Sequence, residues 1–578
     1  MGLIWLRTPT TWHSTRVDRA NAFNYSAMTP EEATMITAKF TFWYEADWDY
    51  GHPTVIFFCV AIALAIILRV IFALRNGKTS ARTQVNLVDR GAAFVRYTVA
   101  RQYRIPRFHW YSPPLAAIIA VSSIFIFTMG LMLGPRPYYW PNVHVMGHSP
   151  PIATRSGWLS IAIMPFMIAF ATKVNWIGAL AGTSHEKLQV FHRWTALIMY
   201  ITSLVHTFPF IVQSIQLGEM EANWSTTPWY WSGVAALVPQ TYLVFLSWGI
   251  FRNKYYETFK KLHFIAAGIF MAALFVHCNF RLTSWDYFAA TAAIWFTVLC
   301  FRHFRTIYNT GLLGVPATLE ALPDGMMKLT VQTPSRVKWT PGQHVLVRVL
   351  NSGIHAFSSH PFTVSSLHED GHLELVFKVH GGITLKLASM VSGKPSRSVR
   401  VAIDGPYGGV PSLKGYDHVY LLAGGAGITL TLPLLKQLIR DGASGVDFLL
   451  AVKRRETAAW LQESLAGAKA AGVTTHVHVT GSSEQGGPEH LKTDEEGSPS
   501  SSVQDLKHPE DVVLGRPDLP AIVHKAVKSH KGRIAIIACG PESFLYDVRN
   551  TVAECQLVLA DGYGTCTDLF LHTENYSW

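Results

Sequence analysis

The sequence predicts a membrane α-helical bundle of about seven transmembrane helices, followed by an antiparallel β-barrel and an α/β, Rossmann-like domain. Three observations predict it. The 578 residues are 49% hydrophobic but only 15% charged, whereas soluble domains average about a quarter charged. Long apolar stretches crowd the first half and stop near residue 302. Beyond about 310 the pattern becomes short alternating runs, then strand, glycine-rich turn and helix. One core cannot serve so long a chain.

Spans of about 20 apolar residues cross a bilayer. They are expected near 53–74, 113–134, 157–180, 189–214, 232–251, 259–279 and 286–302. The start, "MGLIWLRTPTTWHSTRVDR", has no apolar run long enough for a cleavable signal peptide, so the first span is expected to act as an uncleaved anchor. The net charge of +11 resides largely between spans: Arg75, Lys78, Arg82, Arg90, Arg96, Arg101, Arg104 and Arg107 are opposed only by Asp89. That placement suits a cytoplasmic loop and argues against a nucleic-acid partner. Arg252, Lys254, Lys260 and Lys261 precede span six, and Arg302 and Arg305 follow span seven. All fall on one side if the N-terminus is outside and the C-terminal portion cytosolic. The opposite loop carries Glu219, Glu221 and the sequon Asn223-Trp-Ser225; Asn24-Tyr-Ser26 is a second sequon outside, and Asn575-Tyr-Ser577 a third on the cytosolic side. The cysteines Cys59, Cys278, Cys300, Cys539, Cys555 and Cys566 form no CxxC pair and imply no disulfide framework.

Residues 315–411 alternate as strands of a small barrel, in "MMKLTVQTP", "HVLVRVL" and "HLELVFKVH". From 416, "HVYLLAGGAGITLTLPLLKQLIR", "VDFLLAVKRRETAAWLQESL" and "RIAIIACGPESFLYDVRNTV" read as βα units of a parallel sheet. Residues 480–512, rich in Ser, Gly, Pro and acidic residues, are expected to be a disordered insert.

Within the apolar half, "HRWTALIMYITSLVH" runs from His192 to His206 and "HFIAAGIFMAALFVH" from His263 to His277. Fourteen helical steps put both histidines of a segment near one face, about 21 Å apart. Spans four and six run in the same direction, so the first histidines share one level and the last share another. His192 with His263, and His206 with His277, are positioned to clamp two flat metal macrocycles, haem being the natural candidate. Phe270 lies midway on the same face.

Two further stretches complete the pattern: "HPFTVSS" ending one barrel strand, and "KVHGGITLKL", a strand end with a Gly-Gly turn into a helix. With the four histidines, they resemble the ferric reductase/NADPH oxidase superfamily, closest to fungal ferric-chelate reductases, over roughly residues 113–578. The resemblance implies two b-type haems, FAD and NADPH, and makes the soluble half a ferredoxin-reductase-like module. It assigns FAD to His360, Pro361, Phe362 and Thr363, with Ser366, and places the pyrophosphate at the Lys378–Thr384 stretch through Gly381, Gly382 and Thr384. "GGAGIT" (Gly424, Gly425, Gly427, Ile428, Thr429) resembles the nicotinamide-nucleotide loop, and Cys539, Gly540 and Pro541 the turn beside the nicotinamide. Lys453 and Arg454 end the next strand, suited to the 2′-phosphate of NADPH; Arg516 resembles a further nucleotide contact. Trp578 corresponds to the C-terminal aromatic that covers the flavin.

The domains this implies are 1–52, a short extracytoplasmic segment; 53–112, an extra span and basic cytosolic loop; 113–305, the di-haem membrane domain; 306–412, the FAD barrel; and 413–578, the NADP domain. A flavin converts hydride into single electrons, so NADPH would feed FAD, the first histidine pair, the last pair and an acceptor outside. Ferric chelates or cupric ions suit the closer resemblance, in support of iron uptake; the alternative acceptor is O2, reduced to superoxide as the NADPH oxidases of the superfamily do. A haem-binding protein with a silent reductase half is a third reading, opposed by the intact motifs. His144 and His148 stand in an outer loop where a metal acceptor would arrive. The plasma membrane is the expected location, and nothing in the sequence signals oligomeric state.

Overall fold

The computed structural model describes residues 25–30, 33, 46–76, 87–108, 110–139, 149–279, 283–481, 512–562 and 565–575. It has two compact units: Met1–Gly77 with Ala117–Arg302, and Lys78–Ala116 with His303–Trp578.

The first unit contains helices α1 (His52–Asn76), α2 (Leu115–Leu133), α3 (Pro151–Ala171), α4 (His185–Gln216), α5 (Pro228–Phe245), α6 (Tyr256–Cys278) and α7 (Ser284–Thr310), the last continuing into the second unit. Among the described residues, six helices are long and apolar enough to cross a membrane: all of these except α5. The expected fifth span, 232–251, is therefore α5, eighteen residues whose apolar run is diluted by Ser232, Pro239 and Gln240. The expected third span also ends early, at Ala171 rather than 180. Asn175 breaks it: its amide donates to Ala169 O at 2.8 Å while its carbonyl accepts Gly178 N–H at 2.9 Å, capping a new short helix, Trp176–Ala181. Helix α3 is buried along most of its length, whereas α1 and α6 turn most of their surface outward, as lipid-facing helices do.

The second unit opens with the helix Leu87–Ala100 and the short hairpin β1 (Arg104–Ile105) and β2 (Trp110–Tyr111). An antiparallel six-stranded sheet follows: β3 (Val315–Leu322), β4 (Met326–Val331), β5 (Gln343–Val349), β6 (His360–Thr363), β7 (Leu373–Lys378) and β8 (Ser396–Gly408), in the order β6-β5-β8-β3-β4-β7. Helix α8 (Gly382–Val391) packs Ile383 and Leu387 into its core. The α/β part holds β9 (His418–Gly424), β10 (Val446–Val452), β11 (Thr474–Val479), β12 (Val512–Leu514), β13 (Gly532–Cys539) and β14 (Cys566–Glu574). These pair in parallel as β12-β11-β10-β9-β13-β14, with α9 (Ile428–Arg440) and α10 (Glu542–Ala560) among the covering helices. Of the expected insert, residues 482–511 lie outside the described residues.

The basic stretch between α1 and α2 is more than a charged loop. Its helix buries Ala93 in the core beneath α10. Arg90 donates to the carbonyls of Ala560 and Asp561 at the C-terminal end of α10, at 2.6 and 3.0 Å, where a cation meets the negative pole of the helix. Arg96 pairs with Asp568 at 2.6 Å, and Arg549 reaches Gln102 at 3.1 Å. Charge counting does not distinguish arginines facing solvent from arginines clamping a helix.

Candidate functional site

Helices α4 and α6 bring the four histidines together in two pairs. The His192 and His263 ring centres are 6.5 Å apart, and those of His206 and His277 are 5.9 Å apart. A metal–imidazole bond is about 2 Å and the ring centre lies about 1 Å behind its nitrogen, so an ion gripped by two rings sets their centres roughly 6 Å apart. Both pairs meet that spacing. Phe270 is buried between the two levels, in the core of the bundle.

Each histidine also has its Nδ1 engaged. His206 Nδ1 lies 2.7 Å from Ala153 O, His277 Nδ1 2.8 Å from Trp229 O, and His192 Nδ1 3.0 Å from Met167 O. A carbonyl only accepts, so Nδ1 carries the proton in all three, and Nε2 keeps its lone pair. His263 Nδ1 is 3.4 Å from Ser247 Oγ, whose own proton goes to Leu243 O at 2.5 Å, so this hydroxyl also accepts. Metal-binding histidines are oriented in this way by a second acceptor.

Two glycines that sequence reading passed over make the contacts at the last pair. A Cβ on Gly157 would stand 2.6 Å from His206 Nδ1, and one on Gly233 would stand 3.0 Å from His277 Cε1. Each glycine comes four residues after the accepting carbonyl (Ala153, Trp229), and its missing side chain opens that carbonyl to a donor from the next helix. The available signal was an isolated glycine inside an apolar helix, a position that costs about 1 kcal/mol relative to alanine and so calls for a reason.

In the soluble unit, the "HPFT" residues form β6, paired with β5 so that His344 opposes Thr363 and Val347 opposes His360. Phe362 and Thr363 are buried and Pro361 is exposed. Ser366 departs from its expected role: it is 1% exposed, its hydroxyl donates to His372 O at 2.9 Å and accepts Glu374 N–H at 3.0 Å, and so it is spent inside the barrel. The neighbouring Ser365 Oγ is buried and has no hydrogen-bond partner among the described residues. At the start of α8, Gly382 has φ 55°, and the Thr384 hydroxyl closes the turn by accepting His380 N–H and donating to Gly381 O, both at 3.0 Å. Among the described residues, a Cβ on Gly381 would meet nothing within 4 Å, which leaves room for an anion to approach the helix N-terminus.

The nucleotide motifs meet at one edge of the parallel sheet. Strand β9 is central: chain order runs outward through β10, β11 and β12 on one side and through β13 and β14 on the other. Ligands of open α/β sheets bind at the carboxyl ends of strands where the order reverses. "GGAGIT" follows β9 there and "CGP" follows β13. A Cβ on Gly427 would stand 2.0 Å from Cys539 O, and one on Gly424 would stand 2.9 Å from Pro541 Cδ. The glycines therefore let the two loops touch. Ile428 and Thr429 begin α9 and are buried. Cys539 is buried too; burial, and next the carboxylate of Glu574, push its thiol well above the usual range. Its thiol is therefore protonated at neutral pH. Along the same edge, Lys453 and Arg454 follow β10, and Arg516 follows β12; all three are exposed. Lys378 and Arg454 converge on the turn carboxylate of Asp324, at 4.0 and 2.6 Å. Trp578, His144 and His148 lie outside the described residues.

Comparison with known families agrees with this arrangement segment by segment. Residues 156–274 match "Ferric reductase like transmembrane component", 313–411 "FAD-binding domain", and 416–553 "Ferric reductase NAD binding domain". The chain belongs to the ferric reductase superfamily. A probable cell surface ferric reductase of Aspergillus oryzae is 34% identical over 413 residues, 64% of this chain and 53% of that protein. Ferric/cupric reductase transmembrane component 7 of Saccharomyces cerevisiae is 28% identical, over 72% of this chain and 70% of that protein. Ferric reductase transmembrane component 4 of the same yeast is 31% identical, over 70% and 60%. The chain thus spans about half the length of the Aspergillus relative. As a member of this superfamily it is a multi-pass membrane protein with FAD- and NAD-binding domains, and its membrane domain is of the haem-binding kind.

Proposed function

We propose that this ferric reductase carries electrons from cytosolic NADPH across the membrane to an acceptor outside, most suitably ferric chelates or cupric ions, in support of iron uptake. The observation that carries the reading is the pair of histidine clamps, each ring with Nδ1 bonded to an acceptor and Nε2 left for a metal. Bound together, NADPH, FAD and two haems supply hydride-to-single-electron conversion and a one-electron path through the hydrocarbon.

The chain's own residues position these groups. The loops at Gly424–Thr429 and Cys539–Pro541 receive the nicotinamide nucleotide at the reversal of the sheet. Lys453 and Arg454 offer charge to a 2′-phosphate. The β6 strand and the start of α8 would hold the flavin nucleotide, and His192 with His263 and His206 with His277 would hold two haems. No general acid or base is needed for electron transfer through haem. The basic loops, by the positive-inside rule, put the His192/His263 pair on the cytosolic side, so it is the inner pair and His206/His277 the outer. The relatives named as ferric and ferric/cupric reductases support this choice of acceptor.

The test uses the purified full chain in nanodiscs, supplied with FAD and haem. NADPH under anaerobic conditions is expected to generate the spectrum of reduced b-type haem, matching that obtained with dithionite. In intact cells, NADPH-dependent reduction of a ferric chelate should exceed superoxide release. Haem that dithionite reduces and NADPH does not would remove the enzyme reading; strong superoxide with no chelate reduction would replace the acceptor with O2.

A further inference from the structure

The turn between β3 and β4 reads Pro323-Asp324-Gly325. Asp324 adopts a left-handed backbone, φ 58°, which glycine, asparagine and aspartate tolerate best. Its side chain is only 3% exposed, and a carboxylate taken from water needs partners. It finds them on another domain. Arg454 Nη2 stands 2.6 Å from Oδ1, and the Thr457 hydroxyl donates to Oδ2 at 2.5 Å; both residues lie just beyond β10. Lys378, at the end of β7 and opposite Met326 in the barrel, stands 4.0 Å away. The Thr457 hydrogen bond above all, then the charges of Lys378, Arg454 and Lys453, hold this carboxyl below the usual range against the opposing effect of burial. Asp324 is therefore an anion at neutral pH, seated among cations of the barrel and of the nucleotide domain.

The loop after the second strand of a Rossmann-like sheet is where an arginine accommodates a 2′-phosphate. Arg454 is 64% exposed, so an incoming ligand can reach it. We propose that Asp324 is a built-in competitor for the 2′-phosphate of NADPH, holding Arg454 when the nucleotide is absent and giving it up when the nucleotide binds. The proposal rests on the NADPH reading above. A phosphate monoester carries a charge of about −1.5 to −2 and three strong acceptors, so it outbids a single carboxylate for the guanidinium. NADP+ bears the same phosphate, and return of Asp324 to Arg454 helps it leave. No bond is made or broken; one anion exchanges for another.

The test titrates 2′,5′-ADP and 5′-AMP into the full-length, FAD-loaded protein in nanodiscs by calorimetry. Asp324→Asn keeps a residue tolerant of the left-handed turn and removes the charge. It is expected to bind 2′,5′-ADP about three- to tenfold more tightly than the parent, the scale of one ion pair, with 5′-AMP unchanged. Thr457→Val, which leaves the buried carboxylate more dependent on Arg454, should shift 2′,5′-ADP affinity the opposite way, to weaker binding than the parent. Equal or weaker binding of 2′,5′-ADP by Asp324→Asn overturns the proposal. Arg454→Gln separates the two readings. If it weakens 2′,5′-ADP binding while Asp324→Asn fails to strengthen it, only the competition falls. If the parent binds both ligands alike and Arg454→Gln changes nothing, the NADPH reading falls, and the competition with it.

Discussion

The two histidine pairs are alike in spacing and differ in how they are held. Both outer histidines bond to carbonyls near the start of a neighbouring helix, at 2.7 and 2.8 Å, and in each case the residue four further on is glycine. At the inner level His192 takes a carbonyl at 3.0 Å, and the residue four after Met167 is Ala171, where α3 ends. His263 has no carbonyl but a serine hydroxyl at 3.4 Å. In an α-helix the side chain at i+4 flanks the carbonyl of residue i, so the closer the histidine comes, the less that side chain can be. The outer pair is held tightly against helix turns that leave a methyl group little room at Gly233 and none at Gly157; the inner pair is held by a helix end and a hydroxyl with room to adjust.

That contrast is most easily broken at Gly157. Its Cβ would lie 2.6 Å from His206 Nδ1, a contact that nothing but movement of the ring or of α3 relieves. Gly157→Ala should therefore lower the affinity of the outer site for haem by about 10- to 100-fold, the usual loss when the orientation of a ligand is spoiled. The haem-to-FAD ratio by pyridine haemochrome should fall from two toward one, with the remaining haem still reduced by NADPH. A ratio that stays at two would show that α3 yields there. Gly233→Ala is gentler, because its nearest contact, His277 Cε1 at 3.0 Å, needs only a few tenths of an ångström. Both haems should remain, and the low-temperature electron paramagnetic resonance signal of the outer one should shift as the ring turns. An unchanged signal would mean that His277 is not held against α5.

The histidines themselves were legible because their spacing, fourteen residues twice over, converts directly into level and face on a helix. The carbonyls and glycines that steady them were not. They stand on α3 and α5, and no periodicity within one segment reports which neighbour it will pack against. The nucleotide loops were legible for a similar reason: a strand, a glycine-rich turn and a helix are local. What brings Gly427 against Cys539 is the parallel pairing of β9 with β13, more than a hundred residues apart. Ser366 shows the opposite failure. Its place in the "HPFTVSS" string suggested a flavin contact, and only the register of the barrel shows its hydroxyl satisfied by His372 and Glu374. The arginines between α1 and α2 were correctly read as one charged stretch, but their partners, on α10 and β14, follow from tertiary packing alone.

The mildest test of the contrast lies at the inner level. Ser247 accepts from His263 Nδ1 at the long end of hydrogen-bond distance, so its removal deprives the imidazole of a weak acceptor and leaves the ring in place. An imidazole that donates from Nδ1 is a more basic ligand and favours the oxidised metal. Ser247→Ala should thus raise the inner midpoint potential by about 20 mV, equivalent to a fraction of a kcal/mol for a one-electron couple, which is what a single weak neutral hydrogen bond supplies. Potentiometric titration of the full chain should show one haem moving and the other fixed. Loss of the inner haem would show instead that the hydroxyl carries as much of the clamp as the outer carbonyls do, and the two levels would then differ only in distance.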